Sequence, residues 1–410
     1  MEGHNDGQAT KVFVRQLKLT NYRNYCSFSA DFSDKLVVFT GHNGAGKTNL
    51  LEALSFLSPG RGLRRASYDS VAYAKHNSGF KYEIQKGKIN GVPSSQKQEI
   101  DGQQNNIQGF VIFAHLQSAL YGDVNIGTAS DMTEGGRKVR INGASVAADR
   151  LTDYCRVSWL VPAMDGLFTG PAGDRRRFLD RMVLAIDPAH ARRVVDFEKA
   201  MRARNRLLTE GNTDESWFAA LETQMAELAI AIAAARMDVV RLISNIDNFD
   251  GTGTFPTPLL GLEGIIEQAL TRQSAVDVEE DYKQRLHDKR DLDRLAGRTL
   301  EGPHRSDMLV FYAKKNMPAA LCSTGEQKAL LTGLVLAHAR LTAQISGMTP
   351  ILLLDEMAAH LDRGRRAILF DSLDQLGGQT FMTGTDSQLF SALEGRAQFF
   401  EIANGAIARR

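Results

Sequence analysis

Three short motifs, in a fixed order and separated by a long middle segment, constrain this chain more than any other feature of its sequence. The first is G-H-N-G-A-G-K-T at 41–48, which fits the G-x-x-x-x-G-K-T pattern of a phosphate-binding loop. The others are S-T-G-E-Q at 323–327 and I-L-L-L-D-E at 351–356. Each alone could be a turn, a helix cap or a strand end. Together, in this order, they predict one nucleotide site assembled from distant parts of the chain.

The context of the first motif is that of a phosphate loop. A continuous apolar run at 36–39 predicts a buried strand, and apolar residues at helical spacing over 48–57 predict a helix. Glycines let backbone N–H groups surround phosphates, and the start of the helix favours an anion. We expect Lys47 on the γ-phosphate of ATP and Thr48 on Mg²⁺. The predicted nucleotide-binding residues of this segment are Gly41, His42, Asn43, Gly44, Ala45, Gly46, Lys47, Thr48 and Asn49.

The third motif predicts the catalytic carboxylates. Four apolar residues form a buried strand, whose end would bring Asp355 and Glu356 to the phosphate loop. We expect Asp355 to hold Mg²⁺ and Glu356 to act as the general base for the attacking water. Taken alone, the same letters could be an acidic helix start after an ordinary strand.

The second motif predicts a further anion site at a helix N-terminus, with Ser323, Gly325 and Glu326 as nucleotide-binding candidates. Its place ahead of the Asp355-Glu356 strand is typical of ABC-type ATPases. In those proteins this helix caps the γ-phosphate bound by a partner, so an ATP-dependent homodimer is expected. After the next strand, Thr383 stands where transporter ATPases have histidine. A weak contact of Thr383 with the γ-phosphate would make turnover slow, and a plain strand end is an equal alternative.

The predicted fold class is α/β. We expect an ABC-type ATPase head, which is a P-loop NTPase with a mixed sheet and a β-rich lobe, with an inserted α-helical domain. The domains would be the N-terminal half of the head at 1–170, the helical domain at 171–300 and the C-terminal half of the head at 301–410. In the last part we predict helix at 324–344, strand at 350–354, helix at 362–376 and strand at 379–383. The polar stretch 96–108 is predicted to be a loop.

Charge and composition limit the possible partners. The formal net charge is +1, so any binding to nucleic acid must come from local clusters. Arg64 lies in one such cluster and is a candidate nucleotide contact. The arginines at 175–177 and Arg181 could follow a nucleic-acid backbone or pair with nearby acids. Three scattered cysteines and no long apolar run predict a cytoplasmic chain without disulfides, a zinc site or a membrane span.

Further segments resemble the bacterial RecF family of SMC-like ABC ATPases. They are L-K-L-T-N-Y-R-N-Y at 17–25, G-R-G-L-R-R at 60–65, R-R-R-F-L-D at 175–180, R-N-R-L-L at 204–208 and G-P-H-R at 302–305. The resemblance implies a dimer that binds DNA in an ATP-dependent manner, at single-strand gaps or junctions. It also implies that the chain helps to load RecA together with RecR and RecO and supports the SOS response. At 161–165, where the Q-loop of such ATPases is expected, there is no glutamine.

Two other functions remain open at this point. An ATPase subunit of a membrane transporter would carry the same three motifs, although the missing histidine and the long insert disfavour it. A non-enzymatic scaffold with a vestigial nucleotide site is the second alternative. The intact Lys47, Thr48, Asp355 and Glu356 disfavour that reading.

Overall fold

The structure, a computed structural model, describes residues 9–72, 80–85, 88–93, 109–131, 136–211, 214–246, 253–403 and 405–409. The stretch 96–108, predicted to be a loop, lies outside them. The strands in chain order are β1 (Thr10–Tyr22), β2 (Tyr25–Asp31), β3 (Leu36–Thr40), β4 (Phe80–Gln85), β5 (Lys88–Pro93), β6 (Gly109–Ser118), β7 (Gly122–Asp131), β8 (Arg137–Ile141), β9 (Ala144–Val146), β10 (Val157–Leu160), β11 (Leu259–Glu263), β12 (Asp307–Tyr312), β13 (Met317–Pro318), β14 (Met348–Thr349), β15 (Ile351–Leu354), β16 (Thr380–Gly384), β17 (Ala397–Ala403) and β18 (Ala406–Arg409).

Helices cluster in the middle of the chain and recur near its end. They are α1 (Lys47–Ser55), α2 (Tyr68–Val71), α3 (Ala172–Ile186), α4 (His190–Thr209), α5 (Glu215–Ser244), α6 (Ile265–Leu270), α7 (Ala275–Asp288), α8 (Arg290–Ala296), α9 (Thr324–Ser346) and α10 (Arg363–Leu376). The helix–strand–helix–strand order predicted for the last part is confirmed by α9, β15, α10 and β16. Among the described residues, no helix combines the length and the apolar character that crossing a membrane would require.

Two sheets form the head. One runs β14-β1-β6-β7-β8-β9, with β2 also paired to β1, and is mostly antiparallel. The other runs β10-β15-β16-β3-β17-β18 and is parallel as far as β17. Strands β3 and β15 are buried at every position, which explains their continuous apolar sequence. The carboxyl ends of β3, β15 and β16 therefore lie at one edge of the parallel sheet.

The parallel sheet separates two cores, and α1 packs in the first of them. Aromatic residues such as Phe39, Phe56 and Phe110 fill the core between the two sheets. The other core lies between the parallel sheet and α3, α9 and α10. Gln379 joins the sheets, because its buried side-chain amide hydrogen-bonds both the N–H and the C=O of Val14, at 2.8 and 3.0 Å. Val14 adjoins a bulge in β1, so Gln379 satisfies backbone groups where strand pairing is irregular.

The helical region has a core of its own, formed by α4, α5 and α7 around residues such as Phe197, Met225 and Tyr282. At its centre Arg204 is fully buried and pairs with Glu222 and Asp293. Strand β11 also lies within the range predicted for the helical domain. It pairs with β12, so the predicted ranges 171–300 and 301–410 share a small sheet.

Candidate nucleotide site

The phosphate loop connects β3 to α1, as its sequence predicts. Gly46 has φ of +111°, and a Cβ there would lie 2.5 Å from Asn24 Nδ2 and from Tyr25 Oη. A Cβ on Gly41 would lie 2.2 Å from the carbonyl oxygen of Ile402. Both positions therefore require glycine for reasons of conformation and of space. His42, Asn43 and Gly44 are exposed at the tip, where a ligand can approach.

The turn between β1 and β2 supports this loop from below. Asn24 donates a hydrogen bond to the Ala45 carbonyl at 3.1 Å, and the Tyr25 hydroxyl donates to the Gly46 carbonyl at 3.1 Å. Arg23 donates to both carboxylate oxygens of the buried Glu52 on α1, at 2.7 and 2.6 Å. The sequence pointed to this segment only through family resemblance. Its contacts show that it positions the loop and the first helix.

Lys47 is buried and its ammonium group lies within the loop. It donates to the carbonyl oxygens of Gly41 at 2.7 Å and His42 at 3.0 Å. Burial lowers the pKa of Lys47, although the charges of Glu356 and Asp355 act in the opposite direction. A phosphate oxygen offers this ammonium a charged acceptor in place of two neutral carbonyls.

Thr48 and Asp355 meet across the edge of the parallel sheet. The Thr48 hydroxyl donates to Asp355 Oδ1 at 2.9 Å, between residues 307 positions apart in the chain. The expected convergence of 41–48 and 351–356 is thus present in the fold. Two adjacent oxygens, one of them anionic, suit a hard cation such as Mg²⁺.

Thr383 lies beneath Asp355, at the end of β16. Its hydroxyl donates to Asp355 Oδ1 at 2.7 Å and accepts a hydrogen bond from the Glu356 backbone N–H at 2.9 Å. The side chain is only 1% exposed. Its hydroxyl is thus engaged with the carboxylate and the peptide of the third motif, and a direct contact with the γ-phosphate stays a prediction.

Glu356 occupies a backbone conformation that is rare for its residue type. Its φ is +54°, in the left-handed region, which costs on the order of 1–3 kcal/mol for a residue other than glycine. The hydrogen bond from its N–H to Thr383 holds this conformation. The residue opens a short 3₁₀ turn over Met357–His360, which leaves Ala359 and His360 exposed.

Arg64 and Asn49 lie beside the phosphate loop. Arg64 donates to Asn49 Oδ1 at 2.6 Å, and Asn49 donates to Asn24 Oδ1 at 2.8 Å. Arg64 keeps 41% of its side chain exposed, so its remaining donors can reach a ligand. The structure therefore brings both predicted residues to the loop, and their contact with a nucleotide stays a prediction.

The second motif forms the exposed start of α9. Ser323 and Glu326 make a reciprocal capping box, in which each side chain accepts a hydrogen bond from the other residue's backbone N–H. A hydrogen bond from Lys315, with further bonds from Ser323, lowers the pKa of Glu326 to about 2. Ser323, Thr324 and Gly325 are exposed, and a Cβ on Gly325 would meet no atom within 4 Å. Within the described parts of the chain, no hydrogen bond links this tip to 41–48.

The segment at the expected Q-loop position contacts α9. A 3₁₀ turn at Pro162–Met164 follows β10, and the next residue, Asp165, pairs with Lys328 of α9 at 2.9 Å. The Asp355 N–H donates to the carbonyl of Leu160, the last residue of β10. Strand β10 and Asp165 thus connect the strand of the third motif to the helix of the second. No short sequence pattern predicts this ion pair.

The turn at 302–307 joins the helical region to the head. Arg175 of α3 makes a double hydrogen bond with Asp307, at 2.8 and 2.7 Å. Arg176 donates to the Ser306 carbonyl, and Arg236 of α5 donates to the Pro303 carbonyl. For Arg175 the geometry favours the acidic partner over a nucleic-acid backbone. This turn had no predicted role, and its role is to fasten α3 and α5 to β12.

With this geometry established, comparison with known proteins gives consistent results. The RecF/RecN/SMC N-terminal domain family matches residues 13–407. A curated relative from Brucella suis biovar 1 (strain 1330), named DNA replication and repair protein RecF, is 56% identical over 406 residues, which are 98% of each chain. A relative of the same name from Mesorhizobium japonicum is 54% identical over 401 residues, which are 97% of this chain and 98% of the relative.

A solved structure described as the recombination mediator protein RecF-ATP in the RecFOR pathway has a similar fold. It matches with a TM-score of 0.79 and 20% identity over 99% of this chain and 100% of that one. The ABC-type ATPase head predicted from the three motifs is thereby confirmed as the fold class.

Proposed function

This chain belongs to the RecF family, and from that membership and the site geometry we propose that it is a DNA-binding ATPase of recombinational DNA repair. ATP binding would act as a switch that pairs two copies around the nucleotide. Release of DNA would follow hydrolysis. The proposal rests on one observation above the others, the contact between Thr48 and Asp355 beside the buried Lys47.

The residues present fit a Mg²⁺-bound triphosphate. Thr48 and Asp355 offer the oxygen ligands that Mg²⁺ prefers, and would hold it there. When bound, the metal would neutralise charge on the phosphate oxygens. The Lys47 ammonium would leave its carbonyl acceptors and bind the γ-phosphate.

Glu356 is proposed as the general base. Its backbone is fixed by Thr383, and its carboxylate would accept the proton of the water that attacks the γ-phosphate. Because a buried threonine hydroxyl stands where a histidine is typical, we propose that turnover is slow. Slow turnover suits a switch, because the ATP-bound state must last long enough for DNA to bind.

The exposed tip of α9 supports a nucleotide site that is completed by a second copy of the chain. Ser323 and Gly325 present a helix N-terminus to solvent, which is suited to an anion. We propose that they cap the γ-phosphate bound by the other copy, and that DNA lies across the pair. The relatives' name ties the family to DNA replication and repair, and the solved structure's description names recombination mediation. From these and the resemblance, we propose action with RecR and RecO in loading RecA at single-strand gaps.

The test measures DNA affinity for gapped, single-stranded and duplex substrates, with ATP, with ADP and without nucleotide, at fixed salt. The wild-type chain should bind DNA more tightly with ATP, and Lys47→Met should lose that increase. An increase of the same size in the Lys47→Met variant would contradict the proposal. Co-purification with a membrane permease would instead favour the transporter alternative.

A further inference from the structure

A second site candidate lies between the head and the helical region. It is a cavity of about 610 Å³, bounded by the loop at 59–65, the segment 147–149 and helices α3 and α4. None of the described residues that line it belongs to 41–48 or 351–356. The volume falls within the range of small-molecule sites, roughly 300–1,000 Å³. The cavity therefore differs from the nucleotide site in its lining residues, although Arg64, in the loop between them, belongs to the nucleotide site.

The charges around this cavity are unbalanced in favour of cations. Six lysines and arginines and four acidic residues line it. Salt bridges use two of these acids, Asp180 and Asp196, and also two of these cations, Arg192 and Lys199. Asp180 binds Arg236 at 2.8 and 2.9 Å and His190 at 2.8 Å, and Asp196 pairs with Arg192 and Lys199.

Three of the lining arginines have no acidic partner. In the described part of the chain, no carboxylate lies within ion-pair distance of Arg61, Arg65 or Arg181. Arg61 packs over the ring of Tyr68, and Arg65 is exposed at the end of the loop. The cavity wall thus carries three cations without a carboxylate at ion-pair distance in the described chain, and two further acidic residues, Asp149 and Glu198, line the same space.

Arg181 is held mainly by aromatic side chains. Its guanidinium packs against Trp159 at 4.3 Å and Phe178 at 5.1 Å from the ring centroids. Of its three nitrogens, Nη2 makes a long hydrogen bond of 3.4 Å to the Trp159 carbonyl and a 3.8 Å contact with the Met164 sulfur. Burial, followed by the charge of Arg65, lowers the pKa of Arg181 to about 9. An enclosed cation with so few acceptors is stabilised by an anion beside it.

His190 is fully buried behind the same wall, where its Nε2 lies 2.8 Å from Asp180 Oδ1. Apolar side chains of Leu184, Val194 and Val195 line the space between the cations. The lining therefore suits a ligand with an anionic group and an apolar body.

We propose that this cavity binds a small organic phosphate of nucleotide size, with Arg61, Arg65 and Arg181 on the phosphates. The inference goes beyond the proposed function, because it concerns a site outside the phosphate loop. The volume admits a mononucleotide. Arg61 and Arg65 are also exposed, so duplex DNA is the competing ligand that the experiment must separate from it.

The experiment uses a full-length Lys47→Glu variant, in which charge reversal disables the phosphate loop. ADP and inorganic tripolyphosphate are titrated calorimetrically at fixed salt. We expect one equivalent of ADP to bind, and tripolyphosphate to bind more weakly because it lacks the organic body. Adding Arg65→Gln or Arg181→Gln should weaken ADP binding by about tenfold or more, since each removes a charge-assisted contact.

Arg241→Gln, which removes an exposed arginine of α5, is the matched control and should leave ADP affinity unchanged. Thermal unfolding checks each variant, and Arg65→Gln decides the question if loss of the enclosed Arg181 impairs folding. Absence of saturable ADP binding, or binding insensitive to Arg65→Gln, would overturn the proposal. So would competitive displacement of ADP by duplex DNA, which would assign these arginines to the DNA-binding surface.

Discussion

The phosphate-loop side and the α9 tip, two regions of the proposed nucleotide site, differ in how their polar groups are satisfied. On the loop side, Lys47, Thr48, Asp355 and Thr383 are hydrogen-bonded to one another or to the loop backbone. At the α9 tip, Ser323 is bonded only within its own capping box and lies in solvent. The first region is organised within one chain, whereas the second offers a surface that this chain does not use.

This difference teaches which variants act within a subunit and which act between subunits. Changes on the loop side alter groups that hold each other in place, so their effects mix chemistry with local order. Changes at the α9 tip touch little else in the described chain.

Glu356→Gln should reduce ATP hydrolysis by roughly 10²–10⁴-fold, because an amide cannot accept the proton of the attacking water. ATP binding should persist, since Lys47 and Thr48 are untouched, and paired subunits should accumulate. Single-turnover hydrolysis and light scattering with ATP measure the two effects. Hydrolysis within twofold of wild type would remove Glu356 from the proposed chemistry.

Gly325→Leu should abolish ATP-dependent pairing and reduce hydrolysis by about 100-fold, while ATP binding and the melting temperature stay unchanged. The reason is that the new side chain has open space in the single chain but would enter the proposed interface between the two copies. Gly127→Leu is the matched control, because Gly127 also has open space around its Cβ position and no positive φ. Normal hydrolysis by Gly325→Leu would break the proposed division of labour between the two regions.

Thr383→Val should lower kcat by about tenfold, because it removes a hydrogen bond to Asp355 and leaves the Glu356 N–H without its acceptor. Thr383→Ser keeps the hydroxyl and should retain most activity. We expect KM for ATP to change less than kcat in both variants, and the Mg²⁺ concentration for half-maximal activity to rise in Thr383→Val. A large change in KM alone would indicate direct contact of Thr383 with ATP.

The body of α9 behind the exposed tip is buried, and His338 provides a smaller test of it. Burial lowers the pKa of His338 to about 4, so the folded chain favours the neutral ring. Its stabilising contribution is therefore complete above the ordinary pKa near 6.5 and is lost as the pH falls toward 4. A shift of this size corresponds to about 3 kcal/mol.

His338→Gln should accordingly lose about 2–3 kcal/mol less stability than wild type between pH of about 7.5 and 4.5. Urea unfolding at both pH values measures this difference. An equal acid-induced loss in the two proteins would show that the buried body of α9 does not respond to protonation of His338.

The sequence predicted the elements of the site well because their signals are local. Each signal lies within ten residues: apolar runs predict β3 and β15, and glycines predict the phosphate loop. The order of the motifs also predicted one long-range partnership, that of Thr48 with Asp355, but other contacts between distant residues could not be predicted. The pairing of β11 with β12, the Asp165–Lys328 ion pair and the hydrogen bonds of Thr383 arise from the folded arrangement, and no short pattern encodes them.

The arginines of α3 also show that a sequence pattern does not reveal the partners of a residue. Arg175 and Arg181 belong to one run in the sequence and support the same hypothesis there. In the fold, Arg175 is neutralised by Asp307, whereas Arg181 lines a cavity and has no carboxylate at ion-pair distance among the described residues. Composition counts both as positive charge, and only the surrounding residues separate their roles.

The anchoring of α3 has a mechanical consequence. Its first turn is tied to β12 through Arg175 and Asp307, and the carbonyl of Met182 near its end contacts His338 of α9. Because both ends of α3 are bonded to the head, we expect the helical region to move together with the head. In the proposed pair of subunits, the way the two heads meet at the nucleotides would therefore set the distance between the two helical regions.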